Sequence, residues 1–501
     1  MRWFEFLRGH RSLCLVVILF AFALTGLAWG ERPAPAPMAD DVMPPNPRLY
    51  ERIAQGQVRV PRVLTNQPPA RLVRAPTTPR ALTGTVKVLA ALVDFGDKVH
   101  SVGASNFDSL LFAPPVVGRG SLRDYYSEIS YGQIDLVTLN QPSGLGWLRA
   151  PSNYAYYVNG SNYCLGAYPQ NCQKLAEEMV DALHAAGVNF ANYDNDHDGY
   201  AEPVMLIHAG TGTEASYPQS DIWSHSGSLR TPRTYDNVII DRYIIVPEYW
   251  QEKPSDLPVD MTIGVMAHEM GHGFWDLIDL YDTDYSSRGI GNWSLMALGA
   301  WNGPARWGAS PAWPDAWSRI RMGVVTPTDV TSNVGNKPIP QAYDNPLAQP
   351  ALKLRSAVMG SQEYFLVENR EQVFGSYDEY LPGGGLFIWH VDDSVRTGND
   401  RECIVEPHSL CPSSHYLVAL EQADGLRHLE NYAYFNLGDP GDPFPGATNN
   451  RHWTMTTNPE SSSWYGAVNS CVGVTNIGDA GANMTTDLQV LCIYYLPWIS
   501  K

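Results

Sequence analysis

The run Ile263-Gly264-Val265-Met266-Ala267-His268-Glu269-Met270-Gly271-His272-Gly273-Phe274-Trp275-Asp276 sets two histidines four residues apart in an otherwise apolar stretch. Ile263, Val265, Met266, Ala267, Met270 and Phe274 suit a buried helix. Four residues is just over one turn of about 3.6 residues, so His268 and His272 share a face and can grip one metal ion. Neutral imidazole is a good zinc ligand. Glu269 is placed to take a proton from water polarised by the metal, not to bind the metal itself, which is the layout of a metal-dependent hydrolase.

Such a zinc site uses a third protein ligand and leaves the fourth position to solvent. Residues 285–314 contain no Asp, Glu or His, so the third ligand lies either closer or much farther along the chain. Asp276, Asp279, Asp282 and Asp284 are the near candidates. If the helix ran on through Asp276, then 268, 272 and 276 would form a stripe about 12 Å long, too long for one ion with bonds near 2 Å. If the chain instead turns back after His272, as Gly271 and Gly273 allow, Asp279 folds under the metal. Asp279 is the expected ligand, with Asp276 as the alternative.

This stretch resembles the M6 family of secreted metallopeptidases, the immune inhibitor A type, whose motif reads close to H-E-x-G-H-x-x-G-x-P-D-L-Y-D. His268, Glu269, Gly271 and His272 match its first half and Asp279-Leu280-Tyr281-Asp282 its second. The join differs: one extra residue lies between the halves, Trp275 stands where the family has its turn glycine, and Ile278 replaces the proline. Tryptophan rarely takes a positive φ, so the turn is expected on Gly273. Gly291 to Trp301 also resembles the family, with Met296 at the place of the Met-turn beneath the metal. So do Pro311 to Gly323, Glu363 to Arg370 and Leu381 to Asp392. The resemblance implies a zincin-like fold, a Zn²⁺ cofactor and hydrolysis of peptide bonds.

Arg2, Arg8 and Arg11 precede an apolar run from Leu13 to Leu24, with small residues at 28 and 30. Residues 1–30 read as a secretory signal, after whose removal no membrane segment remains, so an extracellular location is expected. Cys14 would leave with it. The other six cysteines then suit an oxidising compartment, and close spacing favours pairing 164 with 172, 403 with 411, and 471 with 492. Residues 31–82 are rich in Pro, Arg and Ala and read as an extended segment, either a linker or a propeptide that keeps the enzyme a zymogen, with Asp40, Asp41 or Glu51 as groups able to block the site.

From residue 83 the pattern mixes strands and helices. Thr85 to Phe95 reads as one buried strand, Ser121 to Ser130 and Lys174 to Ala186 as helices, and Pro203 to His208 as a central strand. The expected fold is α+β: a zincin-like catalytic domain over 83–323 with a mixed sheet and an active-site helix. A β-rich C-terminal region over 324–501 then packs on it or completes it.

Asp194-Asn195-Asp196-His197-Asp198-Gly199 alternates carboxylates ahead of a glycine, as a Ca²⁺ loop requires, although Met205 stands where an EF-hand has its bidentate Glu. Asp194, Asp196 and Asp198 are the candidate calcium ligands, with Glu202 as a possible addition. His208, His225 and His390 read as core residues, and nothing in the sequence picks any of them to stabilise an oxyanion.

A formal charge of −18 argues against nucleic acid as a partner. The expected protein is a secreted, monomeric zinc endopeptidase acting on proteins or peptides, with Glu269 as general base. The competing readings are a non-catalytic exported binding protein of the same fold and a zinc hydrolase of a non-peptide bond.

Overall fold

The computed structural model describes residues 42–58, 82–115, 120–217, 220–304, 307–344, 351–396, 398–403, 411–431, 435–465 and 469–492. The expected signal, Asp40 and Asp41 lie outside these residues. The chain divides between Ala36 and Pro37, and everything described belongs to the second unit.

The expected strand over Thr85 to Phe95 is two strands in two sheets. Gly84–Lys87 pairs in parallel with Ile134–Val137, and Ala90–Asp94 enters a larger sheet. Val86, Val88, Leu89, Ala91 and Val93 are all buried, so one apolar run serves both sheets, interrupted only by Lys87 at the end of the first strand.

The larger sheet has five strands in the order Trp147–Arg149, Ala90–Asp94, Val204–His208, Val238–Pro247, His225–Tyr235. The first four are parallel and the last is antiparallel to its neighbour, giving the expected mixed sheet with an antiparallel edge. Successive side chains along a strand point to opposite faces, and the two cores divide accordingly. Ala90, Leu92, Met205 and Ile207 pack with Met266, Met270 and Phe274 of the histidine-bearing helix Ile263–Trp275. Leu89, Ala91, Val93 and Leu206 pack with Leu175, Met179 and Leu183 of Cys172–Ala185 on the other face. The sheet is therefore sandwiched between helices, which is why its central strands carry no polar alternation.

Local signals placed the helix starts. Ser121 accepts from the Asp124 N–H to cap Leu122–Ile129, and Asn171 accepts from the Lys174 N–H to cap Cys172–Ala185.

Past Gly323 the chain is β-rich. One five-stranded sheet runs Thr328–Val330, Leu352–Leu354, Glu363–Arg370, Gly385–Asp392, Val418–Leu420, and a three-stranded antiparallel sheet joins Val334–Pro340, Asn483–Gln489 and Gly473–Thr475. Buried polar contacts tie this part to the rest. Arg370 bonds Asp378 and the carbonyls of Trp293 and Trp313, and Arg319 pairs with Glu368. Disulfides join Cys164 to Cys172, Cys403 to Cys411 and Cys471 to Cys492, the pairs their spacing suggested.

Part of the segment expected to be extended is folded. Pro47–Ala54 is a helix capped by Asn46, whose side chain accepts from the Leu49 N–H. Met43 and Tyr50 are wholly buried, and Val42 forms an antiparallel bridge to His225 on the edge strand. Leu49, Tyr50 and Ile53 stand at helical spacing, but over so short a stretch that the surrounding prolines and arginines set the composition and masked the docking. No helix among the described residues is long and apolar enough to cross a membrane.

Candidate active site

Every residue of the helix Ile263–Trp275 is buried. Its glycines serve close packing. A Cβ at Gly271 would lie 2.8 Å from Met296 Sδ, and one at Gly273 would lie 2.7 Å from Ile244 Cδ1. The turn expected on Gly273 is on Asp276, which takes φ 50 and ψ 39. Aspartate tolerates this left-handed backbone better than most residues. The Asp276 and Leu277 N–H groups then donate to the His272 and Gly271 carbonyls and close the helix.

This turn separates the two candidate third ligands. The Asp276 carboxylate pairs with Arg242 at 2.7 Å, and the same guanidinium donates to the His272 carbonyl. Asp279, three residues on, lies with Oδ1 3.1 Å from Nε2 of both His268 and His272. The two Nε2 atoms are themselves 3.1 Å apart. Bonds of 2.0–2.1 Å at tetrahedral angles would set ligand atoms about 3.3 Å apart, so this triangle has the dimensions of a zinc site.

The outer ring nitrogens are pinned. His268 Nδ1 is 2.8 Å from the Leu295 carbonyl and His272 Nδ1 is 2.8 Å from the Leu277 carbonyl. A carbonyl accepts only from a protonated nitrogen, so each neutral ring turns a bare Nε2 lone pair towards the triangle. Two lone pairs and a carboxylate at this range repel unless a cation lies between them. Burial pushes the His268 imidazole below its ordinary value and favours the neutral, ligating form. Burial alone would raise Asp279, but the two imidazoles hold its carboxyl below the usual carboxylate range.

Glu269 is buried on the same helix, about 60° round the axis from His272 at 100° per residue. Met296 is buried against Gly271, and its carbonyl accepts from the Leu280 N–H, which ties the return loop to the segment beneath the histidines.

One residue of the site had no assigned role in the sequence reading. Burial, and after it the nearby Asp279 carboxylate, holds the Tyr281 phenol well above its ordinary range. Its hydroxyl donates to the Val42 carbonyl, so the N-terminal segment reaches this centre. Its position two residues past Asp279 was the available signal.

Asp194, Asp196 and Asp198 come together as one group of ligand-capable atoms, with Asp194 buried and the other two exposed. The Asp194 carboxylate accepts from the Asp198 and Gly199 N–H groups, and Glu202 accepts from the backbone and side chain of Asn195.

His208, His225 and His390 belong to the core. His225 bonds the Trp223 carbonyl and the Tyr243 hydroxyl, and His390 lies between Glu363 and Glu421. His208 is held at the Ala209 carbonyl, where burial lowers its pKa to about 3.

Residues 79–325 match the family described as immune inhibitor A peptidase M6, catalytic domain. Among curated proteins, the pre-pro-metalloprotease PrtV of Vibrio cholerae serotype O1 is 29% identical over 280 residues, covering 47% of this chain and 29% of that protein. Immune inhibitor A of Bacillus thuringiensis subsp. alesti is 28% identical over 281 residues, covering 46% of this chain and 39% of that protein. The chain thus spans less than two fifths of the length of these relatives. The domain match falls on the stretch that carries the histidine pair, the return loop and Met296, and residues 79–325 are a catalytic domain of the immune inhibitor A peptidase M6 family.

Proposed function

We propose that this chain is a secreted zinc endopeptidase of zincin-like fold, with His268, His272 and Asp279 as metal ligands and Glu269 as general base. The observation that carries the reading is the buried triangle of two Nε2 atoms and one carboxylate oxygen, each 3.1 Å from the others. The mixed sheet laid over the helix Ile263–Trp275, with an antiparallel strand at its edge, supports the fold assignment. When bound, zinc would acidify water and polarise the scissile carbonyl. His268 and His272 are oriented for binding by the Leu295 and Leu277 carbonyls, Asp279 supplies the negative charge, and Glu269 accepts the proton from water and passes it to the departing amine. The catalytic part spans 83–323 and the β-rich part 324–501. Asp194, Asp196 and Asp198 form a calcium loop within the former.

The test is cleavage of casein with and without a chelator, alongside Glu269→Gln. The variant is expected to keep its zinc and lose activity by about 10²–10⁴-fold. Undiminished cleavage would refute the assignment.

Glu269 has no solvent exposure here, so peptide reaches it only after something moves. Residues 42–58 are the candidate. Val42 bridges the edge strand at His225 and caps the Tyr281 hydroxyl, while the Trp223 and Trp301 indoles hold the Met43 and Pro44 carbonyls. This segment is the docked part of a propeptide in our reading. Tyr50→Ala, which removes its buried anchor, is expected to speed casein cleavage by the unprocessed chain; an unchanged rate would count against a blocking role.

A further inference from the structure

The segment Val42-Met43-Pro44-Pro45-Asn46 is buried along its whole length. Its conformation follows from its prolines. Pro44 and Pro45 have φ fixed at about −65°. Met43, Pro44 and Asn46 each precede a proline, which pushes their backbone to extended or polyproline II angles, and Asn46 takes φ −56 and ψ 156. Backbone of this kind makes no hydrogen bonds of its own, so once buried it needs partners from outside.

Three successive carbonyls find them in side chains from three separate parts of the chain. The Val42 carbonyl accepts from the Tyr281 hydroxyl, the Met43 carbonyl from Trp223 Nε1 at 2.7 Å, and the Pro44 carbonyl from Trp301 Nε1 at 3.0 Å. On the N–H side the demand is smaller. The Met43 N–H donates to the Ser224 carbonyl at 3.1 Å and the Asn46 N–H to the Glu214 carbonyl at 3.0 Å, while prolines 44 and 45 have no N–H to place. Tyr281 follows Asp279 by two residues, Trp223 leads into the edge strand His225–Tyr235, and Trp301 ends the helical turn Leu298–Trp301 that follows Met296. The Trp301 ring also lies 5.3 Å from that of Trp250 and 6.0 Å from that of Trp307. When the segment leaves, two indole N–H groups and a phenol lose their acceptors beside uncovered aromatic surface, and a row of carbonyls from another peptide would satisfy them. Aromatic grooves of this kind suit polyproline II ligands, whose stiff backbone is already extended before it binds.

We propose that Tyr281, Trp223 and Trp301 form the track on which this chain binds its substrates, and that the track selects extended peptides with an apolar residue followed by prolines, the chemistry of Met43-Pro44-Pro45. The inference rests on the peptidase reading and takes residues 42–46 as the stand-in for substrate. The three donors read carbonyls and so position any extended backbone. Selection comes from the N–H side: an N–H at the place of Pro44 or Pro45 would be buried and would need an acceptor that the docked segment never uses.

The experiment uses the full chain carrying Tyr50→Ala, with Met43→Asp as a second way to free the track, stripped of metal. A fluorescein-labelled peptide of residues 42–47 is titrated and followed by anisotropy. It should bind, and the same peptide carrying Pro44→Ala and Pro45→Ala should bind about tenfold or more weakly. Trp223→Phe and Trp301→Phe in the chain keep an aromatic ring and delete the N–H; each should weaken the proline peptide by about tenfold. The peptide exchange needs no further substitution in the chain, so it decides the matter even where an indole variant does not fold. In the zinc-loaded chain the proline peptide should inhibit casein cleavage competitively. Absence of binding, equal affinity for the two peptides, wild-type affinity in both indole variants, or inhibition that excess casein does not relieve would overturn the track. Failure of the peptidase reading shows separately, as a zinc-loaded chain that binds the peptide and leaves casein intact.

Discussion

The histidine triangle and the Asp194–Asp198 loop are both candidate metal sites, yet they are built on opposite plans. The triangle takes two nitrogens from a buried helix and one oxygen from a loop that doubles back, and both imidazoles are pinned from behind by backbone carbonyls. The aspartate loop takes its oxygens from three aspartates within five consecutive residues, two of the three exposed, and Asp194 meanwhile accepts from its own backbone. A borderline-soft ion held at a few fixed bonds needs the rigid frame; a hard ion with many flexible oxygen ligands does not. The comparison predicts that damage to the first site is all-or-none and damage to the second is graded.

The largest effect should follow Asp279→Ala. Its zinc content and casein cleavage should both fall to background. Asp276→Ala should keep the metal and lose only stability, about 1–2 kcal/mol, because the left-handed turn and the Arg242 pair are weakened. Zinc analysis of the two proteins decides the third ligand, and metal loss from the second alone would transfer the role to Asp276. The smaller effect belongs to Asp194→Asn. This variant should retain zinc and most activity, while its melting temperature responds less to added calcium than that of wild type. If it lost zinc or all cleavage, the two sites would not be separable and the comparison would break.

The two regions also differ in how legible they were. Both local motifs were readable because neighbouring backbone fixes the relative position of their residues: His268 and His272 by one helical turn, and Asp194 to Asp198 by a tight loop closed at Gly199. The same holds for the closely spaced cysteine pairs. The turn itself was misplaced. Gly273 offered conformational freedom, but the helix uses its missing Cβ against Ile244, a contact between residues 29 apart that no local pattern announces.

From its sequence alone, then, this protein declared an α+β chain, its histidine-bearing helix and the candidate residues of its site, since these depend on short-range geometry and composition. Only the tertiary structure decided which aspartate meets the histidines, where the apolar run after Gly84 changes sheets, and that Val42 and Tyr50 dock on the loop that returns from the histidine-bearing helix. It alone decided, too, that the Trp293 indole donates to the distant Asp442 carboxylate. Each of these is a contact between distant parts of the chain, set by which surfaces bury together, and burial is a property of the assembled core rather than of any window of residues.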